Sequence, residues 1–188
     1  MAAQILVAVT GATGMLYLNA FLKQCNTIDD IEVHGICSDS GRKVLKMESD
    51  IEPEELSAVS RWFDIDDFTA PPASGSSNYR SMVILPCSMG TLAAIAGGLS
   101  INLIHRSADV ILKERKTLVL GVRETPFNRT HLQNMLKAHD AGAIICPPMP
   151  CFYLRPETLV EAAMTFSWRV LDQLGLAVDG RKRWGHDG

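Results

Sequence analysis

The chain has 188 residues, 47% of them hydrophobic and 6% aromatic, which is enough for one well-buried core and short for two. A formal net charge of -3 gives no general attraction to nucleic acid or to an anionic membrane, so basic residues must act locally if they act at all. The five cysteines, Cys25, Cys37, Cys87, Cys146 and Cys151, are odd in number, lie mostly in apolar stretches and form no C-x-x-C pair or zinc-like spacing with His34, His105, His131, His139 and His186, which argues against disulfides and metal and for a reducing, cytoplasmic setting.

No basic leader precedes the first apolar run, and no apolar stretch approaches the roughly 20 residues that cross a bilayer. In chain order, residues 4–9 read as a continuous buried strand, 15–25 as a helix, 31–36 as a second strand and 41–47 as a helix. Residues 53–63 open with Pro53, Glu54 and Glu55, a helix-compatible start, and 70–78 form a Pro/Gly/Ser loop. A third strand over 82–85, helices over 91–95 and 103–113, and a fourth strand over 117–122 follow. Residues 126–139 are predicted helical, 143–146 a strand, and 156–174 a long amphipathic helix stopped by Gly175. The pattern predicts one α/β unit over 1–188, with 176–188 as a tail or arm. Its expected form is a Rossmann-like, flavodoxin-like three-layer fold: a mainly parallel sheet with helices on both faces and right-handed crossovers.

Chemistry concentrates where strands give way to loops or helices, the position at which open α/β sheets bind phosphorylated ligands. Thr10-Gly11-Ala12-Thr13-Gly14 follows the first strand. Its glycines permit close approach of backbone to an anion, a weak signal by itself, with a ligand-free tight turn as the lesser alternative. A nicotinamide fingerprint is disfavoured, because Tyr17 stands where a third glycine is needed and no Tyr-x-x-x-Lys occurs. Ser38, Ser88 and Thr91 also fall at strand ends, where hydroxyls either cap helices or donate to phosphate and ring oxygens. Cys87 reads as a buried hydrophobe rather than a nucleophile, with no histidine placed to activate it. Ser74, Ser76 and Ser77 do not fit Gly-x-Ser-x-Gly. Arg106, Lys113 and Arg169 are ordinary surface charges taken singly, but Arg123 ends a buried strand and Arg169 interrupts an apolar helical stripe beside Trp168. A second phosphate site would account for both.

Three runs, Ala-Pro-Pro-Ala-Ser-Gly-Ser-Ser, Ala-Asp-Val-Ile-Leu-Lys-Glu-Arg and Arg-Glu-Thr-Pro, resemble the UbiX-type flavin prenyltransferases of the flavin-containing cysteine decarboxylase superfamily, and the likeness runs from about Ile5 to Trp184. The resemblance implies an enzyme that joins the dimethylallyl group of dimethylallyl phosphate to N5 and C6 of reduced FMN. The prenylated FMN serves a partner UbiD-type decarboxylase, and members are typically homododecamers with sites completed by neighbouring subunits. By the same resemblance, Gly11, Ala12, Thr13, Ser38, Ser88, Met89, Gly90, Thr91 and Arg123 match FMN-contacting positions. Arg106, Lys113, Arg123, Tyr153 and Arg169 match the prenyl-phosphate positions; Glu48, Glu124 and Lys113 match the catalytic ones. The chain departs from the family pattern at Thr13 (usually serine), Asp39 (commonly lysine), Phe68 (tryptophan in some members) and Leu154-Arg155 (usually His-Gln). Two alternatives stay open: an FMN-dependent cysteine decarboxylase of the same fold, which would be expected to carry a catalytic histidine and a Pro-x-Met-Asn-x-x-Met run, and a non-catalytic FMN-binding subunit.

Overall fold

Residues 5–9 alternate sharply in the side of the sheet they face. Ile5, Val7 and Val9 join one buried cluster and Leu6 and Ala8 join another, so a strand with period two is apolar on both sides. Such a strand must lie in the middle of a sheet covered on both faces. In the computed structural model, which describes residues 2–178, 180–181 and 184–185, β1 (Ala3–Val9) is central in a six-stranded sheet. Its neighbours are β2 (Ile31–Cys37), β3 (Arg61–Phe63), β4 (Tyr79–Cys87), β5 (Thr117–Val122) and β6 (Ile144–Ile145), in the order β3-β2-β1-β4-β5-β6 with every described pairing parallel. Leaving aside the three-residue β3, the remaining five read 2-1-3-4-5, the flavodoxin-type order.

Six helices cover the two faces: α1 (Met15–Cys25), α2 (Asp39–Ser49), α3 (Met89–Ala96), α4 (Leu103–Lys113), α5 (Arg129–Asp140) and α6 (Leu159–Gln173). Phe21 of α1, Leu45 of α2 and Phe166 of α6 share the cluster of Ile5, whereas Leu92 of α3, Ile104 of α4 and Ala138 of α5 share that of Leu6. Tyr17 meets Phe166 edge-on at 5.3 Å, fixing α6 on α1. The expected three-layer α/β fold is therefore observed. The expected tail over 176–188 falls partly outside the described residues, as does His186, while Leu176 and Val178 still pack on the core.

Residues 53–63 correct the predicted helix. Glu52 and Glu55 form a reciprocal cap around a single 3-10 turn, Pro53–Glu55, but Leu56 leaves helical geometry at ψ 87°. The Ser60 amide then donates to the Val33 carbonyl, and Arg61-Trp62-Phe63 continue as β3. Sheet pairing outcompetes a helix that has a start signal and no apolar stripe. Two predicted helices begin later than expected, α5 behind the Asn128 cap and α6 behind the Thr158 cap, and β6 holds only two residues. Gly175 does end α6 region in left-handed geometry, at φ 69°.

A polar chain crosses the lower half of the sheet. Glu32 accepts from Gln4 Nε2 at 3.0 Å and Ser60 Oγ at 3.3 Å and pairs with His34 Nε2 at 3.0 Å; His34 Nδ1 lies 2.6 Å from the Tyr79 hydroxyl. The Gln4 amide first, and then His34, hold the Glu32 carboxyl below its ordinary value of 4.5. A carboxyl depressed in the folded state stabilises the fold above its unfolded pKa and loses that contribution as pH falls through the folded one. Urea midpoints of wild type and Glu32→Gln are thus expected to differ at pH 7 and to converge as pH falls well below 4.5.

Candidate active site

The chain turns one way from β1 to β2 and β3 and the other way to β4, so the strand order reverses between β1 and β4. Helices diverge there and leave a crevice at the carboxyl ends of the strands. Thr10, 2% exposed, joins the two sides: its Oγ1 donates to the Pro86 carbonyl at 2.8 Å and accepts from the Ser88 amide at 2.9 Å. The sequence places Thr10 only as the first residue of the turn, although its hydroxyl stands at a strand end in the same sense as those of Ser38 and Ser88.

Each wall of the crevice is a helix entry. Ser38 caps α2 by accepting from the Gly41 amide at 3.0 Å, and its own amide donates to the Val9 carbonyl at 3.0 Å. A Cβ at Gly41 would come within 2.5 Å of the Val9 carbonyl oxygen, so glycine lets the first turn of α2 sit against β1. Gly11 meets Ser40 just as closely. Across the crevice Ser88 caps α3, accepting from the Thr91 amide at 3.3 Å and lying 3.1 Å from the Thr91 hydroxyl. The Met89 and Gly90 amides in that first turn have no acceptor within the helix, and a Cβ at Gly90 would meet nothing within 4 Å. An anion can approach the backbone of this turn.

The opposite holds at α1. Glu48, from the far end of α2, accepts from the Gly14 amide at 3.0 and 3.1 Å and from the Met15 amide at 2.8 Å. Its carboxylate occupies the positive end of the α1 dipole and holds Gly14 in its left-handed conformation, at φ 109°. Ala12 is buried, but the Thr13 hydroxyl is exposed and makes no hydrogen bond among the described residues. The Thr10–Gly14 turn is thus preset by a resident carboxylate and offers the Thr13 side chain outward.

Arg123 follows β5 with its amide bonded to the Cys87 carbonyl at 3.1 Å, which brings it to the same crevice. Its half-buried guanidinium has no ion pair or hydrogen bond among the described residues. Glu124 next to it is exposed and accepts from the Thr125 amide at 2.9 Å. Burial pushes the Cys87 thiol up to about 12, which agrees with a packing role. Arg169 stands close enough to Cys146, at the end of β6, for its charge to act on that thiol. Tyr153 lies on the loop after β6, its ring edge-on to Trp184 at 4.9 Å. Trp184 was not singled out from the sequence, where it is a lone aromatic near the chain end.

Arg106 and Lys113 are placed elsewhere. They lie seven residues apart on one face of α4, along which residues 65–77 run: Ile65 accepts from the Leu103 amide at 2.7 Å, Ala73 from Arg106 Nε at 3.0 Å and Ser77 from Lys116 Nζ at 3.1 Å. Arg106 also pairs with Asp109 at 2.9 Å, Lys113 pairs with Glu114, and Gly75 leaves room for that pair. Lys113 precedes β5 and Arg123 follows it, so the six residues of β5 separate them by about 20 Å along the strand axis. One chain therefore forms a crevice with Gly11, Ala12, Thr13, Ser38, Glu48, Ser88, Met89, Gly90, Thr91, Arg123 and Glu124, a corner with Tyr153 and Arg169, and a separate cationic strip with Arg106 and Lys113.

The described residues fit a flavin mononucleotide, with open backbone at Gly90, hydroxyls at both walls and an uncompensated guanidinium at Arg123. Comparison with known proteins agrees. The Flavoprotein family model matches residues 2–173. The flavin prenyltransferase UbiX of Methanocaldococcus jannaschii is 44% identical over 97% of this chain and 98% of its own length. Among solved structures, AnUbiX (PadA1) in complex with FMN and dimethylallyl pyrophosphate superposes with a TM-score of 0.95 at 38% identity, covering 100% of both chains. A dodecameric FMN-dependent Ubix-like decarboxylase from Escherichia coli O157:H7 superposes at 0.93 with 35% identity, covering 97% of this chain and 100% of that one. With full-length likeness of this degree, the chain belongs to the flavin prenyltransferase family.

Proposed function

We propose that this enzyme transfers the dimethylallyl group of dimethylallyl phosphate to reduced FMN, and that the prenylated FMN is passed to a UbiD-type decarboxylase. When bound, reduced FMN supplies the electron-rich N5 and C6 positions to which the prenyl group is joined. Gly11, Ala12 and Thr13 with Ser38 form one wall for it, and Ser88 to Thr91 form the other. Arg123 reaches both ligands, and Glu48 acts by holding the turn in which Thr13 sits. Departure of phosphate from an allylic carbon needs cations and donors on the leaving oxygens, the role assigned to Arg106, Lys113, Arg123, Tyr153 and Arg169. Closing the ring joins C6 to one carbon of the prenyl double bond while the other carbon takes up a proton, and Glu124 accepts the proton that C6 gives up.

The observation that carries this reading is an uncompensated Arg123 adjacent to an exposed Glu124 at a switch-point crevice, in a chain of this family. The separation of Lys113 from Arg123 supports a site completed between copies, as in a homododecamer like that of the E. coli relative. No helix among the described residues is long and apolar enough to cross a membrane, and the unpaired cysteines suit the cytoplasm. We further take residues 1–188 as one flavoprotein unit. Anaerobic incubation with reduced FMN and dimethylallyl phosphate, followed by mass spectrometry of the flavin, is the direct test. The expected flavin is heavier by one prenyl group; flavin of unchanged mass alongside an active relative would refute the assignment.

A further inference from the structure

Arg169, a candidate ligand of the prenyl donor at the β6 corner, is tied to a carboxylate that the reaction itself does not require. Asp172 lies one helical turn beyond Arg169 on α6. Its Oδ2 accepts from Arg169 Nη1 at 3.0 Å, and its Oδ1 accepts from Arg181 Nη1. The three side chains differ in exposure: Arg181 is 10% exposed, Asp172 22% and Arg169 58%. A guanidinium as buried as that of Arg181 needs a counter-charge, and the Arg181 contact in turn fixes which way the Asp172 carboxylate faces. Asp172 then draws the more exposed Arg169 back over the last turns of α6, using Nη1 and leaving the other N–H donors of its planar fork to a ligand. Three residues beyond Arg181, Trp184 meets Tyr153 edge-on at 4.9 Å with the rings 86° apart.

We propose that Asp172 is a positioning residue for the prenyl-phosphate corner: it aims Arg169, with its own carboxylate held by Arg181. This rests on the prenyl-transfer reading above for the identity of the ligand. An arginine held in place by a carboxylate loses less freedom when a phosphate arrives than one that is free in solvent. The benefit falls on binding of the phosphate, in ground state and transition state alike, and so on KM rather than kcat.

The test uses the full-length, FMN-loaded protein and the variants Asp172→Asn, Asp172→Glu, Arg181→Gln and the double Asp172→Asn/Arg181→Gln. Asp172→Asn is expected to raise the KM for dimethylallyl phosphate about tenfold while leaving kcat and FMN affinity at wild-type values, the size expected for loss of a charge-assisted contact. Asp172→Glu should restore most of the affinity, and the double variant should be no worse than Asp172→Asn, because both substitutions break the same link. Calorimetric titration of the FMN-loaded protein with inorganic phosphate should weaken in parallel, and that readout needs no turnover. If wild type binds phosphate but prenylates no flavin, the functional reading fails while this inference is still judged by phosphate affinity. Unchanged phosphate affinity and KM in Asp172→Asn would overturn it, as would a fall in kcat or in FMN affinity with KM unmoved. Should Asp172→Asn not fold, Arg181→Gln carries the same test, with a raised KM expected while Asp172 is intact.

Discussion

Co-assembled from Lys113→Ala and Glu124→Gln chains, the enzyme is expected to regain activity far above that of either variant alone. Lys113 stands at the amino end of β5 on the α4 strip, and Glu124 lies beyond its carboxyl end at the crevice. With about 20 Å of strand between them, no side-chain rotamer of one chain brings them to the same phosphate. The strip of one copy must reach the crevice of another if both act on one substrate. In a random equal mixture, about a quarter of the sites then pair an intact strip with an intact crevice, and activity should approach that fraction of wild type. Coexpression with two affinity tags and sequential purification isolates the mixed particles. A mixture as inactive as its parents would show that each site is built within one chain and that Lys113 has been assigned to the wrong place.

Lys113 and Glu124 are 11 positions apart in sequence, but six of the residues between them form the extended strand β5 and cross the sheet. The strands themselves were legible where burial on both faces leaves a continuous apolar run, as in residues 4–9 and 117–122. Helices with a strong apolar stripe, 15–25 and 103–113, were read to their exact ends. β3 was not legible, since three residues carry no period, and its formation depends on the Val33 carbonyl offered by β2. Strand-end hydroxyls gave most of the crevice because the same local signal, Ser or Thr after an apolar run, recurs on β2 and β4. The role of Glu48 in holding the Gly14 turn depends on contact across 34 positions, which no local pattern carries. Asp172 and Trp184 escaped for the same reason: each matters through what folds onto it.

Glu124→Gln is expected to lower kcat about a hundredfold, the lower end of what a positioned acid–base group supplies, with little change in FMN affinity or in KM for dimethylallyl phosphate. Two carboxylates belong to the crevice, and the structure separates their duties. Glu48 spends its oxygens on the Gly14 and Met15 amides, where it sets the entry of α1, so moving a proton would disturb the contacts that hold the turn. Glu124 bonds only the adjacent Thr125 amide through Oε1 among the described hydrogen bonds, is exposed, and is followed by the rigid Pro126. Its other oxygen can therefore face a ligand. Arg123 beside it favours an anion at the mouth, and in the proposed reaction it would hold the leaving phosphate near the carboxylate. The glutamine variant keeps the shape and the Thr125 contact but cannot take up a proton, which confines its effect to the step in which C6 loses hydrogen. Rapid-quench measurement of flavin products should then show the prenyl group attached at the wild-type rate and ring closure delayed. Equal slowing of both steps would mean that Glu124 binds substrate rather than accepting the proton, and a variant at full turnover would return that proton to the departed phosphate.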